Sequence, residues 1–400
     1  MMQKRLKQVP SARKLIYDYV AMHQTVSKAE LLENFALTSS SLTRLLDEMT
    51  QEGLLQESGF GDSTGGRRPI LYRINPAYGF VFGLEISRIY SSLGLFDMEM
   101  NPLSFIRWRM DEAMNPDNFI EHVANNIRSF MRDHRLCKEQ IIGIGIGAVG
   151  PLDRENGVIL EPLYFPAQGW NNVPICSLIG QATGLPAFLE NGANTALLGE
   201  HRALGDKQIK HMLYVHAGAG LRSAMMTNGQ IVYGAVDMEG SIGQMIIQTD
   251  GPRLQDDGNY GALEAFVSVQ ALEKQFQAQI KEGQAGKLAP IHMPTEQIKF
   301  DRLLAALHKG EPDVQKLFVQ AATYFGIGLA NLINVLHPEK IILGGALIAS
   351  HDLFFATATT VARRNTYYYP QYEPLFSKGV LKEDAVATGA AAFLLKELSI

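Results

Sequence analysis

One short segment near the amino terminus restricts what can surround it. Gly61-Asp-Ser-Thr-Gly-Gly-Arg-Arg-Pro-Ile-Leu-Tyr-Arg73 lies between apolar residues, Leu54-Leu55 before it and Ile70-Leu71-Tyr72 at its end. Gly65 and Gly66 admit positive φ and so a tight turn. Pro69 fixes its own φ and keeps the preceding residue extended. The segment therefore reads as a short β-hairpin whose turn releases Arg67 and Arg68 side by side. A hairpin of this kind is either a solvated ribbon or a wing that touches DNA, and the residues before it favour the wing.

Three short helices fit those residues. The first begins at Ser11 and carries Leu15, Ile16, Tyr19 and Val20 on one face. The second begins with Ser27-Lys-Ala-Glu30, a capping box in which Ser and Glu satisfy each other's free amides, and then buries Leu31, Leu32 and Phe35. After a turn through Ala36-Leu37-Thr38, a third places Leu42, Leu45, Leu46 and Met49 at i, i+3, i+4 and i+7, and Gly53 ends it. Three helices followed by a two-stranded hairpin is the winged helix-turn-helix order, in which the third helix turns its amino-terminal residues toward base edges. Those residues are Ser39, Ser40, Ser41, Thr43 and Arg44. A three-helix scaffold without a DNA role is the bland alternative.

Charge agrees. The chain carries a net −5, yet residues 1–75 hold ten Lys and Arg against eight Asp and Glu, leaving 26 against 33 for the remainder. A cationic end on an acidic body directs that end toward phosphates. Four hundred residues suggest two or three domains. No uninterrupted apolar span of membrane length and no signal-peptide core is evident, so no membrane partner and a cytoplasmic location are expected. Only Cys137 and Cys176 are present, too few for a disulfide framework or a cysteine zinc site.

From about Tyr78 the pattern changes to α/β. Residues 79–86 and 91–96 read as paired strands, 116–132 as an amphipathic helix and 141–146 as a buried strand. Strands follow at 212–215, 221–226 and 230–232, long helices at 263–279 and 314–335, a strand at 341–343 and a closing helix at 388–396.

The glycine and polar clusters of this region resemble the ROK family. They are Gly143-Ile-Gly-Ile-Gly-Ala-Val-Gly-Pro-Leu-Asp153, Gly169-Trp170, Leu185-Pro186, Glu190-Asn191-Gly-Ala-Asn194, Gly199-Glu200, Asn228-Gly229 and Glu239-Gly-Ser-Ile-Gly-Gln244, then Leu263-Glu264-Ala265, His337-Pro338, Ile342-Leu-Gly-Gly345 and Gly389-Ala-Ala. The resemblance covers nearly the whole chain and implies a two-lobed, actin-like α/β fold shared by sugar kinases and transcriptional repressors. The amino-terminal hairpin is similar to that of the family's repressor branch. The expected organisation is a winged helix-turn-helix domain over 1–75 and a ROK body over 76–400. Within the body, one lobe takes about 76–195 plus 385–400 and the other about 196–384.

Departures from the family pattern argue against catalysis. Where the family's kinases read Glu-Asn-Asp, this chain has Glu190-Asn191-Gly192, and glycine cannot serve as the base that takes the sugar proton. The first phosphate loop, Asp followed by Gly-Gly-Thr in kinases, is matched by Glu85-Ile-Ser-Arg88, and the second, Gly-Thr-Gly, by His216-Ala217-Gly218. Phosphoryl transfer depends on positioning and charge stabilisation, so no catalytic residue and no ATP are expected. The family's zinc histidine is replaced by Gln244, and no cysteine occurs in 251–264, so no zinc or other metal is expected; Asp256 and Asp257 read as solvated loop acids.

The resemblance places Asn191, Glu239, Gln244 and Glu264 where the family meets sugar hydroxyls, a task suited to amide and carboxylate groups. The expected partners are a palindromic double-stranded DNA operator, a small carbohydrate effector, free or phosphorylated, and a second copy of the chain, as a homodimer or dimer of dimers. The expected function is a repressor of carbohydrate-utilisation genes. The alternatives are an atypical sugar kinase and a DNA-binding dimer with no small-molecule ligand.

Overall fold

The computed structural model describes residues 11–62, 68–205, 209–237, 241–256, 258–281 and 299–397. They fall in two compact units, Met1–Lys207 with Val386–Ile400, and Gln208–Ala385.

The first unit opens with α1 (Ala12–His23), β1 (Val26–Ser27), α2 (Lys28–Asn34), α3 (Ser39–Gln51), β2 (Leu55–Phe60) and β3 (Ile70–Ile74). Polar side chains set each helix start. Ser11 Oγ accepts from the Lys14 amide at 3.0 Å. Ser27 and Glu30 form the reciprocal box, at 3.2 and 3.4 Å. Thr38 Oγ1 accepts from the Ser41 amide at 3.2 Å. Gly53, at φ 78°, follows the last turn of α3, a left-handed position that a side chain would strain. Leu42, Leu46 and Met49 are buried. The unforeseen element is β1, which pairs Val26 and Ser27 with Tyr72 and Leu71 to complete a three-stranded sheet in the order β1-β3-β2. Two residues are too few to show a strand period.

The body of this unit follows as β4 (Phe80–Ile86), β5 (Tyr90–Asp97), β6 (Pro102–Arg109), α4 (Pro116–Asp133), β7 (Ile141–Ala148), β8 (Leu152–Asp153), β9 (Val158–Ile159), α5 (Ile175–Thr183), β10 (Ala187–Asn191) and α6 (Gly192–Leu204). Its sheet runs β10-β7-β4-β5-β6. The meander β4-β5-β6 is antiparallel, and β7 and β10 continue from β4 in parallel. The amino-terminal elements share one core with this body: Ile16, Tyr17 and Val20 of α1 cluster with Val81, Phe96 and Met98.

The second unit contains β11 (Met212–Ala217), β12 (Leu221–Thr227), β13 (Gln230–Ile231), α7 (Val269–Lys281), α8 (Phe300–His308), α9 (Pro312–Leu336), β14 (Lys340–Gly344), α10 (Ala346–Ser350), α11 (Asp352–Arg364) and β15 (Leu375–Ser377). Its sheet runs β13-β12-β11-β14-β15, again an antiparallel meander with two parallel strands added beside its first member. The closing helix α12 (Ala385–Glu397) lies in the first unit from Val386 onward.

Three expectations change. The division near residue 195 falls inside the continuous helix α6, and the first unit extends to Lys207. The helix expected over 263–279 is interrupted: Leu263–Ala265 is one short turn and α7 starts at Val269. Ser268 causes the break, because its Oγ donates to the Glu264 carbonyl and accepts from the Ala271 amide, at 3.0 and 3.1 Å. Finally, α9 is long and apolar enough to cross a bilayer by length and composition, but Leu317, Phe318, Phe325 and Leu329 of that helix are core residues of the second unit.

Glycine and alanine explain how α12 lies on the first sheet. A Cβ at Gly145 of β7 would run into the Ala390 carbonyl, and one at Gly389 would run into the Thr195 carbonyl of α6. Backbone therefore meets backbone along an alanine-rich helix. The side-chain-free approach removes voids that longer residues could not fill without shifting the helix.

Candidate functional site

The exposed side of α3 presents Ser39, Ser40, Thr43 and Arg44, with Ser41 half-buried. Burying the leucine and methionine positions forces these polar residues outward, because helix faces repeat every 3.6 residues. Thr43 Oγ1 donates to the Ser39 carbonyl at 2.8 Å and accepts from Lys28 Nζ at 2.6 Å. Lys28 thus joins this face, although its sequence position beside the capping Ser27 marked it only as a helix residue. Ser41 Oγ accepts from Thr38 Oγ1 at 2.9 Å, so it serves the cap. Arg44 pairs with Glu48 at 2.7 Å between exposed side chains, a pair worth little in water and easily exchanged for a phosphate. Arg68 is exposed beside the hairpin, whose strands close through the Gly61 amide and Pro69 carbonyl at 2.9 Å. Arg67 lies outside the described residues.

The turns after β4 and β11, expected from the resemblance at the places of the family's phosphate loops, hold equivalent positions, each joining the first two strands of its sheet. In the first, side chains do the bonding. Ser92 Oγ donates to Glu85 Oε2 at 2.8 Å, and the Ser87 amide donates to Ser91 Oγ at 3.2 Å. Arg88 donates from Nε to the Leu163 carbonyl at 2.6 Å and stacks over Tyr164. In the second, the Gly218 amide donates to the Gly220 carbonyl at 3.1 Å, and the Leu221 amide donates to Glu264 at 3.1 Å. Amides consumed this way do not form a cradle for an anion.

Glu190 is buried and organises the start of α6. It accepts from the Asn191 amide at 2.7 Å and Asn194 Nδ2 at 3.0 Å, and it faces Arg154 at 3.5 Å. A buried carboxylate requires such partners. Asn191 caps α6 through Oδ1, which accepts from the Ala193 amide at 3.0 Å. Gly192 is the first helical residue, and a Cβ there would meet the Ala148 carbonyl at 3.4 Å and Val386 at 3.7 Å. Neither its backbone nor its surroundings demand glycine.

In the second unit the structure brings Gln244 and Glu264 together, with Gln244 Nε2 donating to Glu264 Oε2 at 3.3 Å. The same glutamine accepts from the Asn259 amide through Oε1 and from Asn259 Nδ2 through its carbonyl, both at 2.9 Å. Glu239 lies outside the described residues. These residues do not fit a zinc ion: an amide stands at the histidine position and no thiolate is available nearby. The segment around Asn259 is tied by Gln244 and by Arg253 stacked on Tyr260 at 4.8 Å. Asp256 is fully exposed and pairs with Arg253 at 3.2 Å, and Asp257 lies outside the described residues.

Two sheets with one wiring, each backed by helices, define a mixed α/β fold of the sugar-kinase-like class. The chain belongs to the ROK family, which it matches over residues 81–397. It is 26% identical over 388 residues to the xylose repressor of Caldicellulosiruptor bescii, covering 96% of this chain and 95% of that one. A solved ROK family transcriptional regulator, described as a homologue of the E. coli MLC protein, has the same fold with a TM-score of 0.76 at 21% identity, covering 96% of each chain. The ROK hexokinase of Thermus thermophilus aligns with a TM-score of 0.62 at 27% identity, covering 78% of this chain and 96% of its own.

Proposed function

We propose that this chain is a sugar-responsive transcriptional repressor in which residues 1–75 act as a winged helix-turn-helix DNA reader and the ROK body senses a carbohydrate without catalysing its phosphorylation. The observation that carries the reading is the exposed Ser39, Ser40, Thr43 and Arg44 face of α3, followed by a hairpin ending at Arg68. The relative named a xylose repressor is alike over 96% of this chain, reader segment included, which supports a sugar as effector. Phosphate contacts from Arg44, Arg67, Arg68 and Lys28 supply affinity, and hydroxyl groups of α3 read base edges.

On this reading the body is not an enzyme, because Gly192 offers no base and both turns at the phosphate positions use their own groups internally. Asn191, Glu239, Gln244 and Glu264 are the proposed sugar contacts, with no zinc or ATP required. The chain acts as a homodimer or dimer of dimers on a palindromic operator. The exposed run Tyr367, Tyr368 and Tyr369, with Val335 of α9 also exposed, supports a second copy packing on the second unit, since aromatic anchors dominate such interfaces.

The test is selection of duplexes from a random pool by the full-length protein, followed by titration with and without D-xylose and other common sugars. A repressor selects an inverted repeat and changes its affinity with at least one sugar. Failure to enrich any duplex, or turnover of ATP with a sugar, overturns the reading.

A further inference from the structure

Only residues 75–79 separate β3 of the amino-terminal segment from β4 of the body. The Asn75 amide donates to the Leu54 carbonyl at 3.0 Å, and its Nδ2 donates to the Gly53 carbonyl at 2.8 Å. The residue is therefore tied back to the end of α3. Its Oδ1 accepts from the Ala77 amide at 3.1 Å and starts a single 3-10 turn over Pro76–Tyr78. On the body side, the Pro76 carbonyl accepts from the Met98 amide, just after β5, at 3.4 Å. Gly79 lies so close to β7 that a Cβ would meet Ile142 at 2.8 Å. A tether would leave these backbone groups to water. Bonded in this way, the connection is a fixed joint.

A second fastening joins α1 to α12. Lys14 is buried, and its Nζ donates to the Leu395 carbonyl in the last turn of α12 at 3.2 Å and to Asp18 at 2.6 Å. The dipole of α12 favours a cation at that end. Leu394 and Leu395 share the core of Ile16, Tyr17 and Val20, and Leu42, Leu46 and Met49 of α3 lie in the same cluster as Val81, Phe96 and Met98. Arg13 of α1 holds Glu52 at the end of α3, with Nη1 donating to Oε1 at 2.9 Å. Between the two fastenings, apolar side chains pack α3 onto the body, and such packing yields little to displacement.

We propose that Asn75 and Lys14 determine operator choice by fixing the spacing between half-sites, because they seat the reader on the body without play. The proposal rests on the reading of α3 as a DNA reader in a dimer. The separation that the bodies of a dimer set is then passed on to the two α3 helices. Moving one half-site by one base pair displaces it by roughly 3.4 Å and turns it by roughly 35° about the duplex axis. A reader on a tether absorbs that change. A seated reader must break the bonds of Asn75 or Lys14, or deform the duplex. Both residues act through placement, while base identity within each half-site is read by α3.

The test needs no effector. The full-length protein, without sugar, selects duplexes from a random pool, and the half-site found is rebuilt as inverted repeats with spacers one and two base pairs longer or shorter. Titration of the wild type by fluorescence anisotropy is expected to show one spacer bound at least about tenfold more tightly than its neighbours, equivalent to one broken bond to a charged group. Lys14→Met keeps the apolar stem and loses both bonds; Asn75→Ala loses its side-chain ties to Gly53 and Ala77. Each is expected to lower the preference to less than about threefold while the half-site sequence selected stays the same. If one variant does not fold, the other decides. An unchanged preference, or an equal loss of affinity on every spacer, overturns the role of these residues. A wild type that binds neighbouring spacers equally overturns the fixed joint and leaves the DNA reading intact. If no duplex is enriched, the DNA reading falls and the spacing proposal falls with it.

Discussion

The two five-stranded sheets are wired alike, yet their first turns are closed in different ways. In the first unit the turn after β4 is filled by Glu85, Ser91, Ser92 and Arg88, which bond one another or the Leu163 carbonyl. In the second, the turn after β11 keeps Gly218, and its amides bond the Gly220 carbonyl and Glu264. The first turn is closed by side chains; the second is closed by its own amides. Wiring is held by core packing, which tolerates changes at strand ends, whereas a phosphate cradle needs unoccupied amides and small residues. Sheet wiring and the chemistry of its turns can therefore vary independently.

The comparison breaks most readily at the helices behind each sheet. Gly389→Val should cost about 3 kcal/mol or more, because the Cβ meets the Thr195 backbone, which cannot rotate away. Gly326→Val in the second unit brings Cβ to 2.6 Å from the Ala358 carbonyl and Val361 Cβ, a wider approach than that to the Thr195 carbonyl at Gly389, and should cost less, ~2 kcal/mol. Urea unfolding of both variants checks the order. Equal costs would mean that α12 is no more closely seated on α6 than α9 on α11.

Smaller effects separate reader from body. Arg44→Ala combined with Arg68→Ala should reduce operator affinity by roughly 1–3 kcal/mol per lost contact and flatten the salt dependence by about 0.9 per phosphate. Fluorescence anisotropy at several salt concentrations measures both, and an unchanged slope would remove these residues from the interface. Gln244→Ala should lower stability by about 1–2 kcal/mol through the lost bonds to Asn259 and Glu264, with DNA affinity unchanged in the absence of sugar. A loss of operator binding equal to that of the arginine variant would contradict a local tie.

Gly192→Asp sharpens the same contrast. The position has room for a side chain, and an acid in the first turn suits the helix dipole, so stability should change by less than about 1 kcal/mol. On the proposed reading, ATP turnover with sugar should be absent from wild type and variant alike, since the amides of both turns are engaged within the protein. Two like charges ~4 Å apart repel by roughly 4 kcal/mol at an effective dielectric near 20. The variant should therefore disfavour a sugar phosphate relative to its free sugar, measured calorimetrically as a pair. The same ratio in both proteins would remove Gly192 from effector choice.

The smallest effect is kinetic. Cys137 is exposed, whereas burial pushes the Cys176 thiol up to about 12. A thiolate is the reactive form, so iodoacetamide at pH 8 should label Cys137 first and Cys176 only as the pH rises toward that value or the unit unfolds. Equal rates by peptide mapping would show that Cys176 is reachable.

Much of this was legible in the residues. Ser11, the Ser27–Glu30 box and Gly53 set helix ends through bonds spanning a few positions, so local sequence determines them. The leucine spacing of α3 fixed which polar residues face outward. Other features depend on residues distant in the chain. The two-residue β1 exists because β3 pairs with it. The break before α7 arises from one serine satisfying two backbone groups. Placement of α12 on β7 and α6 requires Gly145 and Gly389, far apart in the chain, each to bring backbone against backbone. That meeting, and with it the approach of Leu395 to α1, belongs to tertiary packing, because a side chain's neighbours across a core leave no period in the sequence that surrounds it.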